Sequence, residues 1–234
     1  MTLRTAIVTP YFAEATDILR QMRDSVRAQT HPCRHFLVGD GRRHPAVDAW
    51  DVDHIVLETN HADFGSSPRY AGAQRAIDQG YELIAFLDAD NWLREDHVEL
   101  LADLHASTGA AFLSCGRVLC RLDGSVLGSC PFTDPDRFVD TSCMAFSTAA
   151  FGLLPYWVAM PAFAMPVNDR AMLSHVIASG LPRAHTPEET VFYRCGKPGI
   201  YRLFGEEPAP GVVPAPDYQG IFSRWAAEGR PPLL

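Results

Sequence analysis

Short apolar segments and amphipathic segments take turns along the first half of the chain, and that alternation limits the folds open to it. "TAIVTP" has the run of apolar and β-branched residues of a buried strand. The stretch from Ala15 to Gln29 places Ile18, Leu19, Met22 and Val26 on one helical face. "HFLVGDG" and "HIVLET" read as a second and a third strand. "SSPRYAGAQRAIDQG" carries helix punctuation, with Ser67 as N-cap, Pro68 at the first helical position and Gly80 as the stop. "LIAFLDAD" is a fourth strand, and "REDHVELLADLHAS" a helix with Glu95 and Asp96 in its first turn, where acids suit the helix dipole. Short buried strands alternating with amphipathic helices imply a parallel sheet covered on both faces. In such sheets ligands bind beyond the carboxyl ends of the strands. Three strands here end in polar or turn residues, "TPY", "GDG" and "DAD", which the fold rule gathers at one edge.

The second half has a different pattern. "AAFLSCGRVLCRLDGSVLG" resembles a hairpin turning at Asp123-Gly124, and "DTSCMAFST" is a further strand candidate. "LLPYWVAMPAFAMP" has no clear period. "NDRAMLSHVIASGLP" reads as a helix capped by Asn168, with Met172, Leu173, Val176 and Ile177 on one face, stopped by Gly180 and Pro182. "TVFYR" reads as a last strand. Prolines and glycines dominate from Glu206 onward, which predicts an extended tail, although "YQGIFSRWAAEG" inside it puts Ile221, Phe222 and Trp225 on one helical face and so favours docking on the body.

Charge and composition remove several function classes. The 234 residues are 47% hydrophobic with a net charge of -8, enough for one large core and without the basic stripe of a nucleic-acid binder. No apolar run reaches the roughly 20 residues of a membrane span, and the apolar part of "MTLRTAIVTPYF" is too short for a signal peptide. The six cysteines form no CxxC, so they read as reduced thiols in a cytoplasmic protein.

The pair Asp88 and Asp90 concentrates charge where a buried strand ends. Two such carboxylates need compensation. A salt bridge to arginine, an aspartate nucleophile of phosphatase type, and a divalent cation carrying a nucleotide diphosphate would each supply it, and Mg²⁺ or Mn²⁺ suits one or two carboxylates plus phosphate oxygens. Without a cation the two carboxylates repel, so one of them is expected to hold a raised pKa.

The ordered set "TAIVTPYF", "HFLVGDGRR", "GSSPRYAGAQRAIDQGYELIAFLDADN", "NDRAML" and "TVFYR" resembles family 2 glycosyltransferases of the GT-A type over about residues 4 to 204. The resemblance implies an α/β, Rossmann-like fold with a mainly parallel central sheet flanked by helices. It divides the chain into a glycosyltransferase domain over 1–205, with a nucleotide-sugar half to about 112 and an acceptor half beyond, and a Pro/Gly-rich tail over 206–234. It implies a nucleotide-sugar site made by Thr9, Pro10, Tyr11, Asp40, Arg69, Asp88, Ala89 and Asp90, with Asp88 near the ribose or the cation and Asp90 coordinating Mn²⁺ or Mg²⁺. Asp169 would be the catalytic base of an inverting transfer to a glycan or lipid-linked glycan acceptor, with peripheral membrane contact open. Trp92 and Trp157 are candidates for an acceptor platform.

Each of these residues also has a plainer reading. Asp169 is equally placed to favour a helix dipole, Arg69 to make an ordinary ion pair, and Tyr11, Trp92 and Trp157 to fill core. Asn91 would bond the sugar or turn the chain. Arg42 and Arg43 read as solvated surface or as phosphate contacts. The chain departs from the family where "GDGRR" has one acid instead of two, where Asn168 precedes Asp169, and where no histidine follows "YR"; His185 is a distant substitute for that third ligand. A GT-A module that binds without turnover is the non-enzyme alternative. A haloacid-dehalogenase-type phosphohydrolase would place its aspartate motif on the first strand, and a sugar-nucleotide pyrophosphorylase would have a Gly-rich loop where "TPYFAEATD" has no glycine.

Overall fold

The computed structural model describes residues 2–208, 210–212 and 215–233. Its first four long strands are β1 (Thr5–Tyr11), β2 (Cys33–Gly39), β3 (Asp53–Val56) and β4 (Leu83–Phe86), all parallel, in the order β3-β2-β1-β4. Helices α1 (Thr16–Arg27), α2 (Pro45–Asp48) and α3 (Ser66–Asp78) connect them, and α4 (His97–Thr108) follows the two-residue strand β5 (Trp92–Leu93). The second half adds the hairpin β6 (Phe112–Cys120) and β7 (Val126–Ser129), then β8 (Met144–Ser147) and β9 (Arg183–Arg194). Strand β8 runs antiparallel between β4 and β6 and welds the halves into one sheet, β3-β2-β1-β4-β8-β6-β9-β5 with β7 beside β6. The four longest ladders are the parallel ones, so the sheet is mainly parallel, as expected.

Every residue of β1 is buried, because helices cover both faces. Helix α3 lies directly on β1 and β2 through Gly72, where a Cβ would come within 2.5 Å of Val8 and 2.9 Å of Val38. That small contact lets α3 sit low and brings its N-terminus to the carboxyl edge of the sheet.

Helix punctuation differs in detail from the sequence reading. Helix α3 begins two residues earlier, at Ser66, with Gly65 rather than Ser67 at the cap. Gly65 has φ +81°, a region that suits glycine, and the Asp63 carboxylate accepts from Ser67 N at 2.8 Å. Pro68 is therefore third in the helix. The helix α6 (Asn168–Ala178) is preceded by Val167, so Asn168 is its first residue and not its cap; its amide instead donates to Ser66 Oγ at 3.1 Å. Short helices α5 (Tyr156–Ala159) and α7 (Pro198–Leu203) complete the second half.

The tail is not merely extended. It forms α8 (Tyr218–Ala227), whose Trp225 is buried in the main core and donates from Nε1 to Pro231 O at 2.5 Å. Ser174 Oγ on α6 donates to Pro232 O at 2.8 Å, and Arg121 Nε pairs with Glu206 at 2.8 Å. Among the described residues no helix is long and apolar enough to cross a membrane. All six cysteines are free thiols.

Docking of the tail through Trp225 has a measurable consequence. Trp225→Ala should lower unfolding stability in urea by about 3–5 kcal/mol, as large-to-small core substitutions do, whereas Val126→Ala, at an exposed position, should stay within about 0.5 kcal/mol. A Trp225→Ala loss as small as that of Val126→Ala would contradict the docking.

Candidate functional site

The carboxyl ends of β1, β2 and β4 and the start of α3 enclose a cavity of about 430 Å³, within the size range of small-ligand sites. Pro10, Tyr11, Asp40, Arg69, Asp88, Ala89 and Asp90, seven of the sequence-predicted residues, line it. Thr9 does not. It is fully buried in β1, with its hydroxyl bonded to His35 Nε2 at 3.0 Å, and it serves the core.

The floor is the turn after β4, and it is held from below. Ser142 Oγ accepts from Asp88 N at 3.1 Å and from Asn91 Nδ2 at 3.0 Å. Asn91 Oδ1 accepts from Arg194 N at 2.9 Å, and Arg194 Nε donates to the Asp90 carbonyl at 3.1 Å. Asn91 is therefore a buried turn residue and does not face the cavity. The same Arg194 reaches Leu122 O and Gln21 Oε1, each at 2.6 Å, so the "TVFYR" end strand acts as a strut under the aspartates.

Arg69 is buried and spans the next wall. Nη2 pairs with the Asp88 carboxylate, Nη1 donates to Phe64 O at 2.7 Å, and the guanidinium lies 5.4 Å from the centre of the Trp157 ring. Its buried Nε has no partner among the described residues. Among the described residues no cationic side chain forms an ion pair with Asp90. It is exposed to the concave floor yet hemmed in by protein, which reconciles its access to solvent with its poor solvation. That desolvation first, then the charges of Asp88 and Glu14, push its carboxyl up to about 7. The raised member of the pair expected from the sequence is thus Asp90, with burial acting more strongly than repulsion.

Asp40 closes the far wall. Its carboxylate accepts from His61 N at 3.0 Å and Ala62 N at 3.3 Å, and bonds His61 Nδ1 at 3.0 Å, so it shapes the loop from 60 to 65 over the cavity. Ala62 and Phe64 in that loop have φ of +51° and +56°, a strained setting for residues with a Cβ. Tyr11 is almost wholly buried, its hydroxyl bonded to His54 Nε2 at 2.7 Å and accepting from His44 N at 3.1 Å. With almost none of its surface exposed, the ring cannot serve as an open stacking face. Arg43 is tied to Asp48 at 2.8 Å, and neither it nor Arg42 lines the cavity.

A second cavity, of about 490 Å³, opens beside the first. Phe64, Arg69 and Asp88 line both. Asp169, at the start of α6, lies in its wall and accepts from Arg170 N at 2.7 Å. Burial and the nearby charge of Asp140 push Asp169 up to about 6, against that N–H and the charges of Arg170 and Arg117. Behind it Arg117 and Asp140 form a buried ion pair, with Arg117 stacked 4.3 Å from the Tyr193 ring centre and Asp140 Oδ1 accepting from Ser142 N at 3.0 Å. Sequence reasoning missed this pair and Ser142, reading "DTSC" only as part of a strand candidate, whereas it forms the turn that leads into β8. The two tryptophans fall outside both cavities. Trp157 is core beneath Arg69, packed on Phe86 at 5.6 Å, and Trp92 stacks on Phe192 at 5.3 Å. His185 bonds Ser114 Oγ and lines neither cavity. Among the described residues no three His, Cys, Asp or Glu side chains converge as a ligand set.

No protein-family profile and no curated protein matches the sequence. Solved structures do match in shape. S. aureus TarS matches with a TM-score of 0.66 at 11% identity, over 86% of this chain and 38% of that one. S. aureus TarS 1-349 in complex with UDP matches at 0.62 and 12% identity, over 86% and 63%, and its complex with UDP-GlcNAc at 0.59 and 11%, over 82% and 59%. This chain thus spans less than two thirds of each of those chains. The likeness establishes a GT-A-like fold.

The electrostatics of the floor can be checked directly. In carboxyl NMR of protein free of divalent ions, Asp90 should titrate near 7, and Asp88→Asn should lower that midpoint. The folded value lies above the ordinary 3.8, so this group's contribution to stability is full below 3.8 and is lost as pH rises through about 7. An Asp90 midpoint in the ordinary carboxylate range would contradict the geometry described.

Proposed function

We propose that this protein is a glycosyltransferase that moves a sugar from a nucleotide-diphosphate sugar, a UDP-sugar foremost, to an acceptor hydroxyl, with inversion and with the help of a divalent cation. The observation that carries the reading is the shared wall. A cavity with two carboxylates at its floor and a cavity with a basic carboxylate in its wall meet at Phe64, Arg69 and Asp88. The complexes of S. aureus TarS 1-349 with UDP and UDP-GlcNAc support the choice of donor.

In this reading the nucleotide lies over the ends of β1 and β2, beneath the loop that Asp40 holds. The diphosphate lies toward Asp90 and Arg69. The donor set fits Mn²⁺ or Mg²⁺: Asp90 has no cationic ion-pair partner among the described residues, and such ions are held by one or two carboxylates completed by phosphate oxygens and water. Asp90, with Asp88 beside it, would hold the ion, which would supply Lewis-acid stabilisation of the departing diphosphate. Arg69 fixes Asp88 and keeps its own charge next to the phosphates. Asp169 accepts the acceptor hydroxyl's proton as the new oxygen–carbon bond forms and the bond from the sugar to the diphosphate breaks. The electron pair of the broken bond leaves on the nucleotide diphosphate. A base at about 6 is ionised at neutral pH and still more basic than an ordinary aspartate, which suits that role.

The acceptor is a glycan or a lipid-linked glycan in this reading, and the cytoplasm the compartment. A module that binds nucleotide without turnover is the second reading, favoured by the absence of a third protein ligand among the described residues.

Calorimetry with UDP, GDP and dTDP, each with and without Mn²⁺, tests the donor site. One nucleotide should bind, need the cation, and lose affinity in Asp90→Ala; binding of none would refute the donor site. Nucleotide release from the matching sugar donor tests the chemistry. Asp169→Asn should lower turnover by about 10²–10⁴-fold with nucleotide affinity unchanged, and wild-type kcat/KM should fall as pH drops below about 6, where Asp169 takes up its proton. Full turnover in Asp169→Asn would remove it from the base role, and nucleotide binding without release by the wild type would favour the module.

A further inference from the structure

The second cavity has a chemical signature of its own. The described residues leave seven large apolar side chains exposed, and four of them, Phe64, Phe132, Leu203 and Tyr218, line this one cavity at 61%, 47%, 63% and 37% exposure. Apolar side chains gathered round one opening mark a surface that meets an apolar partner. The C–H face of a sugar stacks on one aromatic ring, but four apolar side chains that include Leu203 match a larger apolar body.

The charges in the same walls do not balance. Arg69 pairs with Asp88 and Arg117 with Asp140. Asp169 is followed by Arg170, whose guanidinium lies 4.8 Å from the Phe138 ring centre. Lys197 is left without a carboxylate partner among the described residues. It is also the only lysine in a chain whose other nineteen basic residues are arginine and whose net charge is -8. A half-buried lysine lining the same cavity as Leu203, in an otherwise acidic protein, is complementary to an anion.

We propose that the acceptor is an anionic amphiphile: a hydroxyl compound with an apolar body and an anionic group such as a phosphate ester, the body on the apolar rim and the anion on Lys197. This rests on the glycosyltransferase reading only for the word acceptor; the binding chemistry belongs to the cavity itself. Tyr218 belongs to α8, so the docked tail supplies part of the site.

The test compares octyl phosphate, octyl glucoside and glucose 6-phosphate, each below its micelle-forming concentration, by calorimetry on the wild type, Lys197→Met and Lys197→Arg. Octyl phosphate should bind the wild type about tenfold or more tighter than either of the other two, lose about tenfold in Lys197→Met, and keep most of its affinity in Lys197→Arg. Octyl glucoside should bind Lys197→Met as it binds the wild type. Reductive methylation with isotopically labelled formaldehyde places a single lysine signal in the NMR spectrum, and octyl phosphate but not glucose 6-phosphate should shift it. Equal affinity for octyl phosphate and octyl glucoside, or an octyl phosphate affinity unchanged in Lys197→Met, would overturn the inference. Phosphatidylcholine vesicles with and without phosphatidic acid separate the sources: Lys197-dependent retention on the acidic vesicles marks a membrane lipid, and octyl phosphate binding without retention marks a soluble ester. UDP affinity in the same samples reports the donor site independently. Its loss alongside Lys197-dependent octyl phosphate binding would end the donor reading and leave the amphiphile site standing.

Discussion

A serine hydroxyl and an asparagine side chain hold the central turn of this protein. Ser142 joins β4 to the start of β8, and Asn91 joins the same turn to the end of β9 through Arg194. Both are buried, and a buried polar group left without a partner costs about 1–3 kcal/mol, so the arrangement is favourable only when all its members are in place. The gain is positional. Asp88 and Asp90 share a turn held by those bonds, and while Asp88 pairs with Arg69, Asp90 has no ion pair among the described residues. In the proposed reading, this is the place that a divalent ion and the phosphates accompanying it would occupy.

The same turn links the two cavities. Asp88 faces both, and Arg69 clamps it while also gripping Phe64 O, the carbonyl of a residue that lines both cavities. Asn168 donates to that carbonyl from the side of the second cavity at 3.3 Å. The loop from 60 to 65 is thus fastened by Asp40 at one end and by Arg69 and Asn168 at the other, and those bonds offset the strain of its two left-handed residues. The residue next to Asn168 is Asp169, so the helix that carries the candidate base is tied to the loop that lies over the first cavity.

Much of this was legible in the sequence because it is local. Strand and helix periods, the Asp123-Gly124 turn and the polar strand ends give the alternating fold and place the aspartate pair at its carboxyl edge. What was not legible depends on long-range contacts. Ser142 is 54 residues from Asp88, and Arg194 is 103 residues from Asn91, and no local pattern announces either bond. Thr9 was misplaced because every residue of β1 is buried, so the strand shows no alternation from which to tell a cavity-facing residue from a core one. The tryptophans were ambiguous for a related reason: an aromatic in an apolar stretch fills core or lines a site with the same local sequence, and here Trp157 packs under Arg69 and Trp92 on Phe192. The lone lysine was visible in the sequence, but its meaning came only from the apolar wall around it.

The central claim is that a divalent ion and a nucleotide diphosphate meet over Asp90. Anomalous diffraction from a crystal grown with UDP and Mn²⁺ tests it most directly. The account predicts a manganese peak at coordination distance from an Asp90 carboxylate oxygen and from the diphosphate, with the uracil beneath the loop held by Asp40. A manganese peak elsewhere, or UDP bound outside the cavity at the ends of β1, β2 and β4, would contradict it.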